Sequence, residues 1–272
     1  MSVLPPPPPP SDLPPPPSGL VAPPGPIATG PPKATWKWWE ILLVGFVALI
    51  IGTIPAAAIY LGAGESPSSN GLLNGVDFLA NAVDQVVLLV VLLAYLQWRH
   101  RGWQRAVRLP KLRELPKELA VGVGIGIAMV FALGVLVSAV LQPLFRAATH
   151  QDVTPAEQIG TGIHGWGAVA FVVAVVLVAP VVEEFFFRGL FFRTLRDRYG
   201  LWVGAIGSGI LFALLHTGAG GTAQKLMLQI AIGLFGMGLA LLYDWRGKLG
   251  ANVAAHAVFN LITVLSVLKV FS

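Results

Sequence analysis

The sequence predicts an all-α protein, a polytopic transmembrane helical bundle of about seven spans, within a range of six to eight. Three observations support this fold class. Charged residues make up only 11% of the 272 residues, hydrophobic residues make up 55%, and the mean hydropathy is +0.74. Soluble domains carry roughly 25% charged residues, so an ordinary soluble domain and a disordered protein are both excluded. The absence of cysteine excludes disulfide frameworks, thiolate metal sites and cysteine nucleophiles.

The first 35 residues form a separate region, because they contain 15 of the 22 prolines and only two charged side chains. This composition is typical of a disordered or polyproline II tail. The region has neither the basic start nor the apolar stretch of a signal peptide. We therefore expect a solvated tether, with docking to a proline-recognition module as the alternative.

Seven apolar segments follow, each a candidate for the ~20 residues that a helix needs to cross a bilayer. They lie at about 38–61, 76–98, 119–143, 166–190, 201–217, 226–244 and 249–269. The fifth is short and rich in glycine. The chain has no long polar domain, so its function is expected in or beside the membrane.

The basic residues predict the orientation of the bundle. Fifteen of the 18 Lys and Arg residues fall on one side, most of them in 99–117 and 188–198. Because cytoplasmic loops are enriched in Lys and Arg, the N-terminus is predicted to be cytoplasmic and the C-terminus external. Topology and attraction to membrane lipid account for the positive charge, so no nucleic-acid partner is predicted.

The fourth segment carries two adjacent glutamates, in the sequence Pro-Val-Val-Glu183-Glu184-Phe-Phe-Phe-Arg188. Ionisable side chains inside a span cost about 2.5–3.5 kcal/mol each, so they indicate a functional site. Neighbours on a helix point about 100° apart, so the two carboxylates cannot share one role. Glu184 is four residues from Arg188 and is predicted to pair with it. Glu183 is then available for acid or base catalysis; the alternative is that both glutamates are interfacial and paired with arginines.

Two further segments carry polar residues. His216 follows Phe212 by four residues in the fifth segment, and His256 precedes Asn260 by four in the last. Side chains at this spacing share one helix face. Each histidine is either a site residue or a hydrogen-bonded packing residue.

Depth relates these residues to Glu183. The turn between the fourth and fifth segments is predicted near 199–200, sixteen residues from Glu183 and sixteen from His216. At ~1.5 Å per residue, both lie about 24 Å from that turn on antiparallel helices. His256 and Asn260 are predicted to lie about 12–18 Å from the basic side, at a depth that agrees if the fourth helix protrudes there.

This set of side chains fits two forms of peptide hydrolysis. In the first, Glu183, His216 and His256 are the ligands of a catalytic zinc ion. In the second, Glu183 is the base for a water that His216 also holds, and His256 and Asn260 form an oxyanion pocket. The spacing does not choose between them.

Three motifs occur in order along these segments: Glu-Glu-x-x-x-Arg at 183–188, Phe-x-x-x-His at 212–216 and His-x-x-x-Asn at 256–260. Together they resemble the motifs of the CAAX-processing and bacteriocin-processing (CPBP, Abi) family of intramembrane endopeptidases. The likeness covers about 165–265. It implies that Glu183 activates water and that Glu184 and Arg188 support it, with His216, His256 and Asn260 completing the site. The expected organisation is a tail (1–35), N-terminal transmembrane helices (36–160) and a catalytic domain (161–272). The expected substrate is a membrane-associated protein or peptide, and the expected location is a bacterial cell membrane.

Two rival functions remain. Asp77, Asn81, Asp84 and Gln85 share one face of the second segment. This face is expected to begin at the outer interface and line the interior of the bundle; the alternative is the proton or cation path of an ion-coupled transporter. The absence of an inverted repeat disfavours that function. A non-catalytic membrane scaffold or immunity protein of the same fold is the other rival, although a scaffold has no need for buried charge.

Overall fold

The computed structural model describes residues 32–68, 73–156, 165–216 and 218–267, and these are mainly helical and contain no strand. The eight helices are numbered here α1 (Trp38–Ala63), α2 (Gly75–Arg99), α3 (Trp103–Val107), α4 (Leu115–Leu136, continued by Val137–Leu141 and Gln142–Thr149), α5 (Gly165–Tyr199), α6 (Leu201–Leu214), α7 (Thr222–Arg246) and α8 (Leu249–Val267). The predicted tail lies almost wholly outside the described residues, which begin at Pro32.

The predicted fold class is confirmed. Within the described ranges, six helices are long and apolar enough to cross a membrane. The fifth predicted span is the shorter apolar helix α6, which has 14 residues. At 1.5 Å per residue α6 is about 21 Å long, so it covers only part of a ~30 Å hydrocarbon core. It ends before His216, which therefore follows the helix rather than lying within it.

Helix α2 begins with a capping box. The Asn74 side chain accepts hydrogen bonds from the backbone nitrogens of Val76 at 2.8 Å and Asp77 at 3.0 Å, and Asp77 accepts one from the Asn74 nitrogen at 2.8 Å. This reciprocal arrangement satisfies backbone donors that a helix start leaves free. The Tyr60 hydroxyl of α1 also donates to Asp77 at 2.8 Å. Asp77 is thus a capping residue that joins α1 to α2.

Small residues bring α4 and α8 into close contact. A Cβ atom added at Gly122 would lie 2.4 Å from the carbonyl oxygen of Ala251, and one at Gly126 would lie 2.7 Å from that of Ala255. Glycines four residues apart let two membrane helices pack backbone to backbone. This contact fixes the helix that carries His256.

Glycines also set the path of α6. Gly200, with φ 90°, forms the tight turn between α5 and α6, a conformation that favours glycine. A Cβ atom at Gly209 would lie 2.6 Å from the carbonyl oxygen of Gly233 in α7. Helix α6 therefore packs antiparallel to α5 and close to α7, and it delivers His216 towards the middle of α5.

Large apolar side chains both fill the bundle and cover its outside. Phe185, Phe187 and Leu190 of α5 lie in the main buried cluster. By contrast, Ile54 of α1 is 72% exposed and Phe131 of α4 is 71% exposed. An apolar exterior is what lipid contact requires.

The segment before α1 holds the C-terminal part of α5. Trp36 is fully buried and donates through its indole nitrogen to the Leu190 carbonyl at 3.1 Å. The Thr194 hydroxyl donates to the Trp36 carbonyl at 3.1 Å, and the Ala34 nitrogen donates to Asp197 at 3.0 Å. Helix α5 is thereby fixed at its end as well as along its length.

Candidate active site

Glu184 is the centre of a buried hydrogen-bond network. Its side chain and that of Arg188 are both 0% exposed, and Arg188 Nη1 donates to Glu184 Oε1 at 2.7 Å. His256 Nδ1 donates to the same oxygen at 2.9 Å, and Asn252 Nδ2 donates to Oε2 at 3.2 Å. The predicted ion pair is therefore confirmed. Because both carboxylate oxygens are engaged, the buried charge of Glu184 is compensated.

Arg188 connects this network to two other helices. Its Nη2 donates to the carbonyl oxygen of Gly236 in α7 at 2.9 Å. Its guanidinium carbon lies 4.7 Å from the centroid of the Phe212 ring of α6, within cation–π range. The guanidinium thus helps to hold α5, α6 and α7 around the site.

The hydrogen bonds at Nδ1 determine the form of both histidines. His216 Nδ1 lies 2.7 Å from the carbonyl oxygen of Phe212, which can only accept, so Nδ1 carries a hydrogen. His256 Nδ1 likewise faces the carboxylate of Glu184. In the neutral form, each ring therefore has a lone pair on Nε2, as assigned from these partners.

Both Nε2 atoms face Glu183. Its Oε2 lies 3.9 Å from His216 Nε2 and 3.8 Å from His256 Nε2, and its side chain is 17% exposed. The predicted convergence of these three residues at one depth is confirmed. The lone pairs of both Nε2 atoms thus lie near one carboxylate oxygen, and this arrangement suits a water molecule or a proton between them.

Glu183, His216 and His256 are the predicted ligands of a catalytic zinc ion. Among the described residues, no group of three or more His, Cys, Asp or Glu side chains could hold a metal ion as placed. Ligands at about 2.0–2.1 Å from a tetrahedral zinc ion are about 3.4 Å apart, which is shorter than the 3.8 and 3.9 Å from Glu183 Oε2 to the two imidazoles. The side chains are those of a His₂Glu zinc site, but their donor atoms lie too far apart to bind zinc as placed. Zinc binding therefore stays a prediction.

Asn260 contacts a different part of α5. Its Nδ2 donates to the carbonyl oxygen of Val175 at 2.7 Å, which ties α8 to α5. Val175 lies in the π-helical stretch Val173–Val178. The amide nitrogen of Asn260 therefore has a structural partner, and its role in an oxyanion pocket stays a prediction.

Two residues of the site were missed by sequence reasoning. Asn252 is fully buried, and besides Glu184 its Nδ2 binds the carbonyl oxygen of Leu239 at 2.6 Å. It precedes His256 by four residues, so the i, i+4 pattern could have identified it. Gln85 of α2 donates from Nε2 to Glu183 Oε1 at 3.3 Å.

Gln85 belongs to the polar face of α2 that suggested a transport path. In the structure, the members of this face have different surroundings, although Gln85 also binds Asn81. Asp77 caps α2, Asp84 lies against Gly52 of α1, and Gln85 reaches Glu183. Among the described residues, no hydrogen bond links Asp77 or Asp84 to Gln85, so these contacts do not form the row of ionisable groups that a transport path would need.

Part of the chain matches a known protein family. Residues 164–262 match the family described as type II CAAX prenyl endopeptidase Rce1-like. The match contains all three motifs, and the resemblance to the CPBP family stated from them is confirmed. Neither a curated protein nor a solved structure gives a significant match.

Proposed function

We propose that this protein is an intramembrane endopeptidase that hydrolyses a peptide bond in a membrane-associated protein or peptide, with Glu183 as the base that activates water. The family match supports CAAX-type endopeptidase activity in general. The observation that carries the mechanism is the convergence of Glu183 Oε2 with the two imidazole Nε2 atoms at 3.8 and 3.9 Å.

A water molecule at this point can donate one hydrogen to Glu183 and one to an imidazole. Its oxygen lone pairs are then free to attack the carbonyl carbon of a substrate. Glu183 accepts the proton as the bond forms, and it returns the proton to the leaving amine when the tetrahedral intermediate collapses. These steps use only side chains of the described residues.

The two histidines have distinct supporting partners. Glu184 orients His256 from behind, in the way that a carboxylate orients an imidazole in a catalytic triad. The Phe212 carbonyl orients His216. Water has two hydrogens, so it can donate to Glu183 and to one imidazole, which leaves the other imidazole without a hydrogen bond from that water. If that ring is protonated on Nε2, it would donate to the developing oxyanion.

Substitution of the base tests this mechanism. Purified protein in liposomes would be incubated with two peptides that end in a CAAX sequence, one farnesylated and one not, with mass spectrometry of the products. We expect Glu183→Gln to lower turnover by about 10²–10⁴-fold, the usual effect of losing a general base. Its thermal unfolding should match that of the wild type, because the amide preserves shape. Glu65→Gln, at an exposed glutamate, is the control.

Zinc content would be measured on the same samples. Loss of zinc together with turnover in Glu183→Gln would assign Glu183 as a metal ligand, because an amide is a poorer ligand than a carboxylate. Full turnover in Glu183→Gln would refute the mechanism. If wild-type protein cleaved neither peptide, the non-catalytic scaffold would become the better interpretation.

A further inference from the structure

We propose that Gln85 is a positioning residue that sets the orientation of the Glu183 carboxylate, an inference that rests on the proposed function. Gln85 lies in α2, outside the matched region 164–262 and 98 residues before Glu183 in the chain. Its Nε2 is 3.3 Å from Glu183 Oε1.

The contact separates the roles of the two oxygens of Glu183. Oε2 faces the imidazoles of His216 and His256, whereas Oε1 faces Gln85. Among the described residues, Gln85 is the one hydrogen-bond donor to Glu183. A terminal carboxylate has a broad rotational preference of its own. The hydrogen bond to Oε1 therefore limits that rotation and keeps a lone pair of Oε2 directed at the point where water would bind.

Gln85 is itself held in place. Its Nε2 also donates to Oδ1 of Asn81, one turn earlier on α2, at 3.0 Å. The amide thus links Asn81 to Glu183 and joins α2 to α5. Each of the two hydrogens of the amide nitrogen therefore has an acceptor, and these two hydrogen bonds fix which end of the amide faces Glu183.

The remaining atom of the amide argues against a packing role. Gln85 Oε1 is buried and has no hydrogen-bond partner among the described residues. An unsatisfied buried acceptor costs roughly 1–3 kcal/mol, so an apolar side chain of equal size would suit packing better. We infer that the amide serves the orientation of Glu183 rather than the stability of the fold.

This inference predicts opposite effects on activity and stability. Gln85→Met preserves length and removes the donor. We expect kcat to fall about 10- to 100-fold, the usual effect of losing a hydrogen bond to a charged group, with KM unchanged. The unfolding temperature should stay equal or rise. Val86→Met introduces the same residue at an exposed neighbouring position and should leave both quantities unchanged.

A double-mutant cycle tests whether Gln85 acts through Glu183. In a Glu183→Gln background, Gln85→Met should have no further effect on residual turnover. Independent effects of the two substitutions would overturn the inference. So would a Gln85→Met variant that raises KM with kcat unchanged, because that result indicates a substrate contact.

A spectroscopic measurement separates this inference from the proposed function, since it needs no substrate. The infrared carboxylate band of Glu183 is identified as the band lost in Glu183→Gln. In Gln85→Met this band should shift, because the donor to Oε1 is gone, whereas in Val86→Met it should not move. An unshifted band in Gln85→Met would overturn the inference even if the protein is a protease. If the wild type cleaves no peptide but the band still shifts in Gln85→Met, the contact is supported and only the proposed function is refuted.

Discussion

Replacement of Arg188 by methionine should destabilise the protein severely. Both members of the Glu184 and Arg188 pair are 0% exposed, so the variant leaves a carboxylate inside the bundle without its cation. Breaking a buried ion pair from one side costs about 3–5 kcal/mol. The hydrogen bond to the Gly236 carbonyl is lost as well. His256 and Asn252 still donate to Glu184, which reduces the cost but does not neutralise the charge.

The assay is thermal unfolding in detergent, followed by tryptophan fluorescence. At about 2–4 °C per kcal/mol, the expected fall in unfolding temperature is on the order of 10 °C. Arg196→Met is the matched control, because Arg196 lies on the same helix and binds Asp244 at 2.6 Å, but the two side chains are 41% and 23% exposed. An exposed pair contributes about 0–1 kcal/mol, so this control should unfold close to the wild-type temperature.

A double variant separates the effect of the unpaired charge from the effect of losing the Arg188 side chain. The double substitution Glu184→Gln with Arg188→Met removes both charges and should recover a large part of the lost stability. Equal unfolding temperatures for Arg188→Met and Arg196→Met would refute the reasoning. They would show that burial does not determine the cost of breaking the pair.

Two other predictions concern packing and topology. Gly122→Leu should force α4 away from α8, which should lower the stability by roughly 1–3 kcal/mol and also lower activity. Gly124→Leu is the control, because a Cβ atom added there meets nothing within 4 Å, and it should change neither quantity in the same unfolding and turnover assays. Similar losses in both variants would contradict the helix contact. A reporter enzyme fused after Ser272 should be active outside the cell, and one inserted in 99–117 should report a cytoplasmic position; the opposite pattern would refute the orientation inferred from the basic residues.

Helix geometry explains why the sequence could predict that Glu183 and His216 of the candidate active site lie close together. Glu183 and His216 lie on either side of the tight turn at Gly200, so counting residues at a constant rise placed them at one depth. The observed 3.9 Å between Glu183 Oε2 and His216 Nε2 confirms that count. The i, i+4 rule likewise predicted the Glu184 and Arg188 pair, which needs no knowledge of other helices.

Contacts between helices distant in sequence could not be predicted in this way. The sequence shows the polar face of α2, but periodicity does not show which helix lies opposite, so the sequence alone does not connect Gln85 with Glu183. The same limit applies to Asn260. It shares a helix face with His256, yet it lies one turn, about 6 Å, further along α8 and binds the Val175 carbonyl.

The contrast between the two adjacent glutamates follows from their surroundings. Glu184 points into the bundle and accepts hydrogen bonds from three side chains on α5 and α8, so both of its oxygens are engaged and its charge serves to hold His256 and Arg188. Glu183 is rotated by about 100° around the helix. It is 17% exposed, one oxygen is held by Gln85, and the other faces two imidazoles that cannot donate to it in their neutral form. In the proposed mechanism the base needs an oxygen that is oriented but not already hydrogen-bonded, and Glu184 would keep Glu183 in that state by holding the Nδ1 hydrogen of His256.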